Sequence, residues 1–378
     1  MNKLAGMECD AETYQVEILT GVSRTFALTI PHLPKPLSRV VTNAYLLCRI
    51  ADTIEDESAL SVEQKQAFHA QLVHVVAGTG DAGKFARELT PLLVGDTSDS
   101  ERDLIAHTDR VIQVTRTFND RQHAALTRCL TVMCEGMPRY ERKASVSGLP
   151  DMHSLDQYCY YVAGVVGETL TELFCDYSSD IARHRDAMAE LGVSFGQGLQ
   201  MTNILKDFWE DRKRGVCWLP HDLFARAGID LGDLRAMGKR RGFSEVYANL
   251  IGLAHSHLRK AFEYTLLIPE NEPGIRRFCL IALGLAVQTL QSISASPGFT
   301  SGSQVKVSRR VVQNTVIVTR LFAAYDRALR RWFTRLARGL PFAPIAPDWS
   351  LSSLRPDGDA ASDDAQLAAA SGWKTQSM

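Results

Sequence analysis

The chain has 378 residues, 45% hydrophobic and 22% charged, with 42 lysines and arginines against 43 aspartates and glutamates. Such a balance suits a globular protein with a sizeable core, and a formal charge of −1 gives no electrostatic case for binding nucleic acid. The eight cysteines are dispersed and form no Cys-x-x-Cys pair, which argues against a zinc site or a disulfide framework and for buried thiols in a reducing cytosol.

The N-terminal residues lack the apolar run of a signal peptide, and no uninterrupted apolar stretch reaches spanning length, so the expectation is a cytoplasmic protein without a transmembrane anchor. A helix is predicted over 12–19, followed by SRTFAL from Ser23. Pro31, Pro34 and Pro36 then break the backbone before a strongly apolar helix. That helix carries Asp52, Glu55 and Asp56, spaced three and four apart and so on one face. Acids beside core-facing residues such as Leu47, Ile50 and Ile54 are costly to desolvate unless paired or metal-bound. Ser61 and Gln64 form a capping-box start for the next helix. Polar turns at 78–83 and 95–100 punctuate further helical patterns, and helix continues over 101–142, where Gly136 permits close packing.

The helix predicted over 154–174 contains Tyr158 and the small residues Ala163, Gly164 and Gly167, which leave room for a neighbouring backbone or an isoprenoid chain. Residues 198–215 read as one helix on which Asn203, Asp207 and Asp211 recur every four residues. Two carboxylates one turn apart repel unless water or a cation neutralises them. Taken alone, they read either as a solvated stripe or as a Mg²⁺ site of hard oxygen ligands that also takes substrate phosphates. Two such clusters far apart in sequence favour facing helices converging on a cation and a diphosphate.

Proline 220 ends the central helical stretch, and apolar-periodic helices follow at 248–267 and 274–293. A Gly/Ser/Pro loop at 294–303 leads to the basic segment 305–310 and a helix to about Leu336. On that last helix Arg320, Arg327, Arg331, Arg335 and Arg338 form a basic stripe beside Leu321, Phe322, Leu329, Trp332, Phe333 and Leu336. Its apolar face either packs on the domain, the favoured reading, or lies in a membrane interface beside anionic lipid. Almost no run alternates with period two, so the fold class is all-α, as one domain over 1–343 and a polar, disordered tail over 344–378.

Four segments in order, SRTFAL, YLLCRIADTIED, YCYYVAGVVG and QMTNILKDFWED, resemble the squalene/phytoene synthase family, and its squalene synthase branch in particular. The resemblance extends from Ser23 to about Arg310 and implies an isoprenoid-synthase-type helical bundle around a central apolar cavity. It implies that Asp52, Glu55, Asp56, Asn203, Asp207 and Asp211 hold Mg²⁺ on two molecules of farnesyl diphosphate. Arg49, Lys206 and Gln200 would contact substrate near the same site. Tyr158 would take part in proton removal, and Val162, Val166, Leu170 and Phe278 would line the cavity. The implied reaction is head-to-head condensation to presqualene diphosphate, then reduction by NADPH to squalene for downstream squalene-using enzymes. No Gly-x-Gly-x-x-Gly follows a strand, so the NADPH site is not a Rossmann site. The resemblance instead points to Ser23, Arg24, Phe26, Lys306 and Arg309.

Phytoene, dehydrosqualene and hydroxysqualene synthases share the first half-reaction without hydride transfer, and a non-catalytic helical binding protein is the alternative from another class. Two positions depart from the family pattern. Lys206 replaces an arginine, keeping charge but losing the bidentate fork. Val216 stands where a phosphate-binding arginine is usual, leaving Arg212, Lys213 or Arg214 to substitute from a different helical angle.

Overall fold

A computed structural model describes residues 2–141, 145–233 and 241–355. Its first half holds helices α1 (Asn2–Val22), α2 (Arg24–Thr29), α3 (Lys35–Asp56), α4 (Val62–Val76), α5 (Ala82–Leu89), α6 (Asp99–Ala106), α7 (Thr108–Thr115) and α8 (Asp120–Glu141). Next come α9 (Met152–Cys159), a π-helical turn (Tyr160–Gly164), α10 (Val165–Tyr177), α11 (Ser179–Ala182), α12 (Arg185–Lys213) and α13 (His221–Arg226). The last part comprises α14 (Arg241–Leu267), α15 (Pro273–Ala295), α16 (Arg309–Phe322), α17 (Asp326–Leu336) and α18 (Leu351–Leu354). Among the described residues there is no strand, only isolated bridges pairing Ser145 with Cys217 and Leu149 with Pro220. The fold is all-α, as the helical periodicity predicts.

Helix α12 is the axis of the bundle, packed against α10, α14 and α15. Small residues bring α10 and α12 together backbone to backbone. A Cβ on Gly167 would collide with the Gly192 carbonyl oxygen, and one on Gly196 with that of Ala163. The room beside Ala163 and Gly167 is therefore filled by neighbouring main chain, which leaves the isoprenoid alternative to other positions. The aromatic ring of Tyr161 takes the space beside Gly136.

The capping box at Ser61 forms as expected, with each partner bonded to the other's backbone. All seven cysteines whose side chains are described are free and buried. Helix α15 is long and apolar enough to cross a membrane, although the sequence reading predicted no such stretch. Most of its apolar window is buried against the bundle, which is how a core helix meets the same test.

Two further differences concern the C-terminal part. Leu329 and Phe333 of α17 are buried, Phe333 stacking on Phe262 at 4.5 Å, so the apolar face of that helix is core. Residues 344–355, expected to belong to a polar tail, instead run across the bundle. Trp349 donates from Nε1 to Gln197 Oε1 at 3.0 Å, Lys260 Nζ lies 4.2 Å from the Trp349 ring, and Arg355 binds Glu168 at 2.7 Å. A few anchors hidden in a polar sequence suffice to hold such a strap, because each buries a large side chain or satisfies a buried charge. The rest of the expected tail, 356–378, lies outside the described residues.

Candidate active site

Helices α3 and α12 carry the two acidic triads at their C-terminal ends. A single guanidinium shows how these ends are related. Arg214, the residue after α12, donates from Nη2 to Asp211 Oδ1 at 2.6 Å while its Nη1 lies 3.6 Å from Asp56 Oδ1. The triads therefore face one another across a gap that one side chain spans. Of the three residues that stood to replace the missing arginine at Val216, Arg214 is the one placed there. Arg212 is committed elsewhere, donating to the carbonyls of Val146 at 2.9 Å and Leu231 at 2.5 Å.

The electrostatics are those of acids gathered without enough positive charge. Burial pushes the Asp52 carboxyl up to about 7, with Arg49 opposing and Asp56 adding to the shift. Asp211 is also raised by burial, held back by Arg214 and raised further by Asp207 and Asp56. On the other flank Lys206 Nζ lies 3.0 Å from Asp207 Oδ2 and 3.5 Å from Asn203 Oδ1. Arg49 lies 3.9 Å from Asp52 and also pairs with Glu101 of α6. Glu101 is a site neighbour that the sequence reading passed over. Its signal was the capping box it completes with Ser98, which fixes the start of α6 and points the carboxylate toward α3.

Tyr158 stands close to both triads. Burial raises its hydroxyl well above the ordinary phenol range, and the charges of Glu55, Cys159, Asp211 and Asp56 add to that. The ring is fixed by Trp218, stacked on it at 4.1 Å with the planes 6° apart. Trp218, in the loop after α12, was not expected at the site, since a lone tryptophan in a loop carries no periodic signal. The π turn begins two residues after Tyr158. Such a turn shifts the helix register locally and is common at functional sites.

Behind Tyr158 the helix continues as an apolar row. Val162, Val166 and Leu170 recur every four residues and keep accessible surface, although α10 is flanked by α3, α8 and α12. Partly open apolar side chains on an enclosed helix are what an apolar recess requires. Phe278 of α15 sits further along the same row, buried and edge-on to Phe174 at 6.3 Å. Gln200 lies on α12 one turn before Asn203, and its neighbour Gln197 donates to the Asp156 carbonyl at 3.0 Å.

The residues expected to contact a nicotinamide cofactor are less gathered. Ser23 caps α2, its hydroxyl accepting from Phe26 N at 3.0 Å, and the Phe26 ring packs on Tyr45 of α3 at 4.8 Å. Arg24, Lys306 and Arg309 are exposed. Among the described residues no hydrogen bond or ion pair links Lys306 or Arg309 to Ser23, Arg24 or Phe26, and neither cation is paired with a carboxylate, so both are available to phosphate.

Among the described residues no three His, Cys, Asp or Glu side chains close into a ready metal cage. The donor set nevertheless suits Mg²⁺. All its members are hard oxygens, two of the carboxylates are raised by burial and mutual repulsion, and Mg²⁺ commonly takes only one or two carboxylates besides water and substrate phosphates.

The sequence profile of the squalene/phytoene synthase family matches residues 19–311. The chain belongs to this family. Similar relatives include the squalene synthase of Gibberella zeae, 27% identical over 327 residues that cover 83% of this chain and 67% of that protein. The squalene synthase of Cyberlindnera jadinii is 24% identical over 332 residues, 85% and 70% of the two chains. Among solved structures, the TcSQS complex with the ligand BPH1237 superposes with a TM-score of 0.68 at 24% identity, covering 91% of this chain and 95% of that one. A ligand complex of a dehydrosqualene synthase gives 0.57 at 21% identity, covering 83% and 97%. These structural likenesses establish the isoprenoid-synthase type of helical bundle, and membership of the family supports an enzymatic role.

Proposed function

We propose that the chain is a squalene synthase, joining two farnesyl diphosphates head to head into presqualene diphosphate and reducing that intermediate to squalene with NADPH. The observation that carries this reading is Arg214 joining Asp211 to Asp56, which sets two acidic triads opposite each other at the mouth of an apolar row. Asp52, Glu55, Asp56, Asn203, Asp207 and Asp211 would hold Mg²⁺, which when bound supplies positive charge to the diphosphate as its carbon–oxygen bond ionises. Arg49, Lys206 and Arg214 add donors for phosphate oxygens, Arg49 and Arg214 in forked geometry. They must leave their present carboxylate partners to do so, which the exposed position of Arg214 permits.

Tyr158 is held as a neutral phenol, so it can orient and relay a proton but cannot take one as a phenolate. The final acceptor in the first half-reaction is then a diphosphate oxygen or a triad carboxylate. Val162, Val166, Leu170 and Phe278 exclude water from the allylic cation. Lys306 and Arg309, exposed and uncommitted, would hold the phosphates of NADPH, which supplies hydride.

The bundle would also touch a membrane surface, by a different helix face from the one first expected. Ile317, Leu321, Phe322 and Tyr325 are exposed along α16 and the turn after it, next to exposed Arg320 and Arg327. The test of the enzymatic reading is product identification from labelled farnesyl diphosphate and Mg²⁺, with and without NADPH. Squalene only with NADPH supports it; dehydrosqualene, phytoene or hydroxysqualene as the sole product in both arms refutes the reductive step.

A further inference from the structure

The fourth acid of the second motif, Glu210, points away from the triad. It is one residue before Asp211, so its side chain leaves α12 about 100° around the axis. There it meets the loop between α15 and α16. Its Oε1 accepts from Ser301 Oγ at 2.9 Å, and both carboxylate oxygens accept from the Gly302 amide, at 3.0 and 3.1 Å. These bonds hold the Glu210 carboxyl below its usual range against the opposing cost of burial.

The loop is fitted to α12 at this point. A Cβ on Gly302 would lie 2.9 Å from Asp207 Oδ1 and 3.0 Å from the Lys206 carbonyl oxygen, so only glycine lets the main chain come this close to the triad. Phe299 and Val305 are buried on either side, and Phe299 packs on Tyr247, whose hydroxyl bonds the Leu205 carbonyl on the same helix. The chain emerges from this clasp at Lys306, and Arg309 opens α16 three residues later.

We infer that Glu210 is a positioning residue, a latch that ties the loop 299–305 to α12 and so places the basic segment 306–309 at the rim beside the second triad. Glu210 touches no substrate. It acts by fixing where Lys306 and Arg309 begin, and the effect on catalysis rests on the proposed reductive step while the latch itself does not. Because Asp207 and Glu210 lie on adjoining turns of one rigid helix, the diphosphate end and the reductant end of the site share a single frame. The physical content is that a charge-assisted bond to a loop amide restricts the loop far more than it strengthens the helix.

The test uses Glu210→Ala, Glu210→Gln and Gly302→Ala in the full chain. Amide hydrogen exchange over 300–306 reads the latch without any turnover. Glu210→Ala is expected to lower protection of Gly302 by about tenfold or more, as loss of a charge-assisted hydrogen bond implies. Glu210→Gln, which keeps an acceptor, should restore much of it. Gly302→Ala, which pushes the loop from the other side, should reproduce the loss. In the assay, Glu210→Ala and Gly302→Ala should raise the KM for NADPH several-fold and increase presqualene diphosphate release, with farnesyl diphosphate consumption without NADPH within about twofold of wild type. Unchanged exchange in Glu210→Ala overturns the latch. Equal loss of both half-reactions overturns the positioning role in favour of a direct part in diphosphate binding. If the wild type makes its hydrocarbon without nicotinamide, the proposed reductive function fails and with it the role of the latch in that step, while the exchange result still decides the latch contact.

Discussion

Asp156 provides a test of the electrostatics that does not depend on turnover. It lies on α9, two residues before Tyr158, with Oδ1 buried and without a hydrogen-bond partner. Burial, with the charge of Asp348 on the C-terminal strap adding to it, pushes its carboxyl from 3.8 up to about 7. Folding therefore favours the protonated acid, and the folded state binds more protons than the unfolded chain between about pH 4 and 7. Stability must fall as pH rises through that window and level off above it. Each pKa unit is worth about 1.4 kcal/mol, so the lift from 3.8 to about 7 implies a cost near 4 kcal/mol once the group ionises. Solvent beside the exposed Asp348 screens part of this, and about 2–4 kcal/mol is the working figure.

Asp156→Asn keeps the shape and removes the charge, with the Asp348 carboxylate near enough to receive the new amide. The variant is expected to be more stable than wild type by about 2–4 kcal/mol at pH 8 and equal to it near pH 4. At roughly 2 cal/mol/K of unfolding entropy per residue, this corresponds to a gain of about 3–6 °C in Tm. Thermal and urea unfolding of both proteins at pH 4.5, 6 and 8 gives the comparison. Parallel pH profiles, or a variant less stable at pH 8, would refute the reasoning.

Asp52→Ala and Asp207→Ala should each abolish squalene formation at saturating Mg²⁺ while circular dichroism keeps the full helical signal. Because each removes a repelling charge, neither should lower the Tm of the ligand-free protein. Tyr158→Phe keeps the stack on Trp218 and so should fold normally, but lose the first half-reaction by about 10²-fold or more, measured as diphosphate release. Trp349→Ala deletes the indole between Gln197 and Lys260 and should cost about 2–4 kcal/mol in urea unfolding. Flotation with anionic liposomes should recover the wild type but not a Leu321→Ser, Phe322→Ser variant, and equal recovery on neutral vesicles would count against an anionic surface.

Local rules sufficed wherever the determining interaction lies within a few residues. Helical periodicity settles the all-α class, and four-residue spacing puts Asn203, Asp207 and Asp211 on one face without knowledge of any neighbour. The capping box at Ser61 follows from the same kind of short-range geometry. What the sequence could not decide are contacts between distant segments, because spacing along one helix says nothing about the rotation of the next. Arg212, Lys213 and Arg214 are consecutive cations in the sequence. Only the packing of α12 against α3 turns Arg214 toward Asp56 and Arg212 toward Leu231. Trp218 reaches Tyr158, and Glu210 reaches Gly302, across separations that no period encodes. The C-terminal strap is the plainest case. Its composition reads as solvated, and its order comes from a few anchors whose partners, Gln197, Lys260 and Glu168, lie on helices over ninety residues away, since a side chain is held by what surrounds it in space.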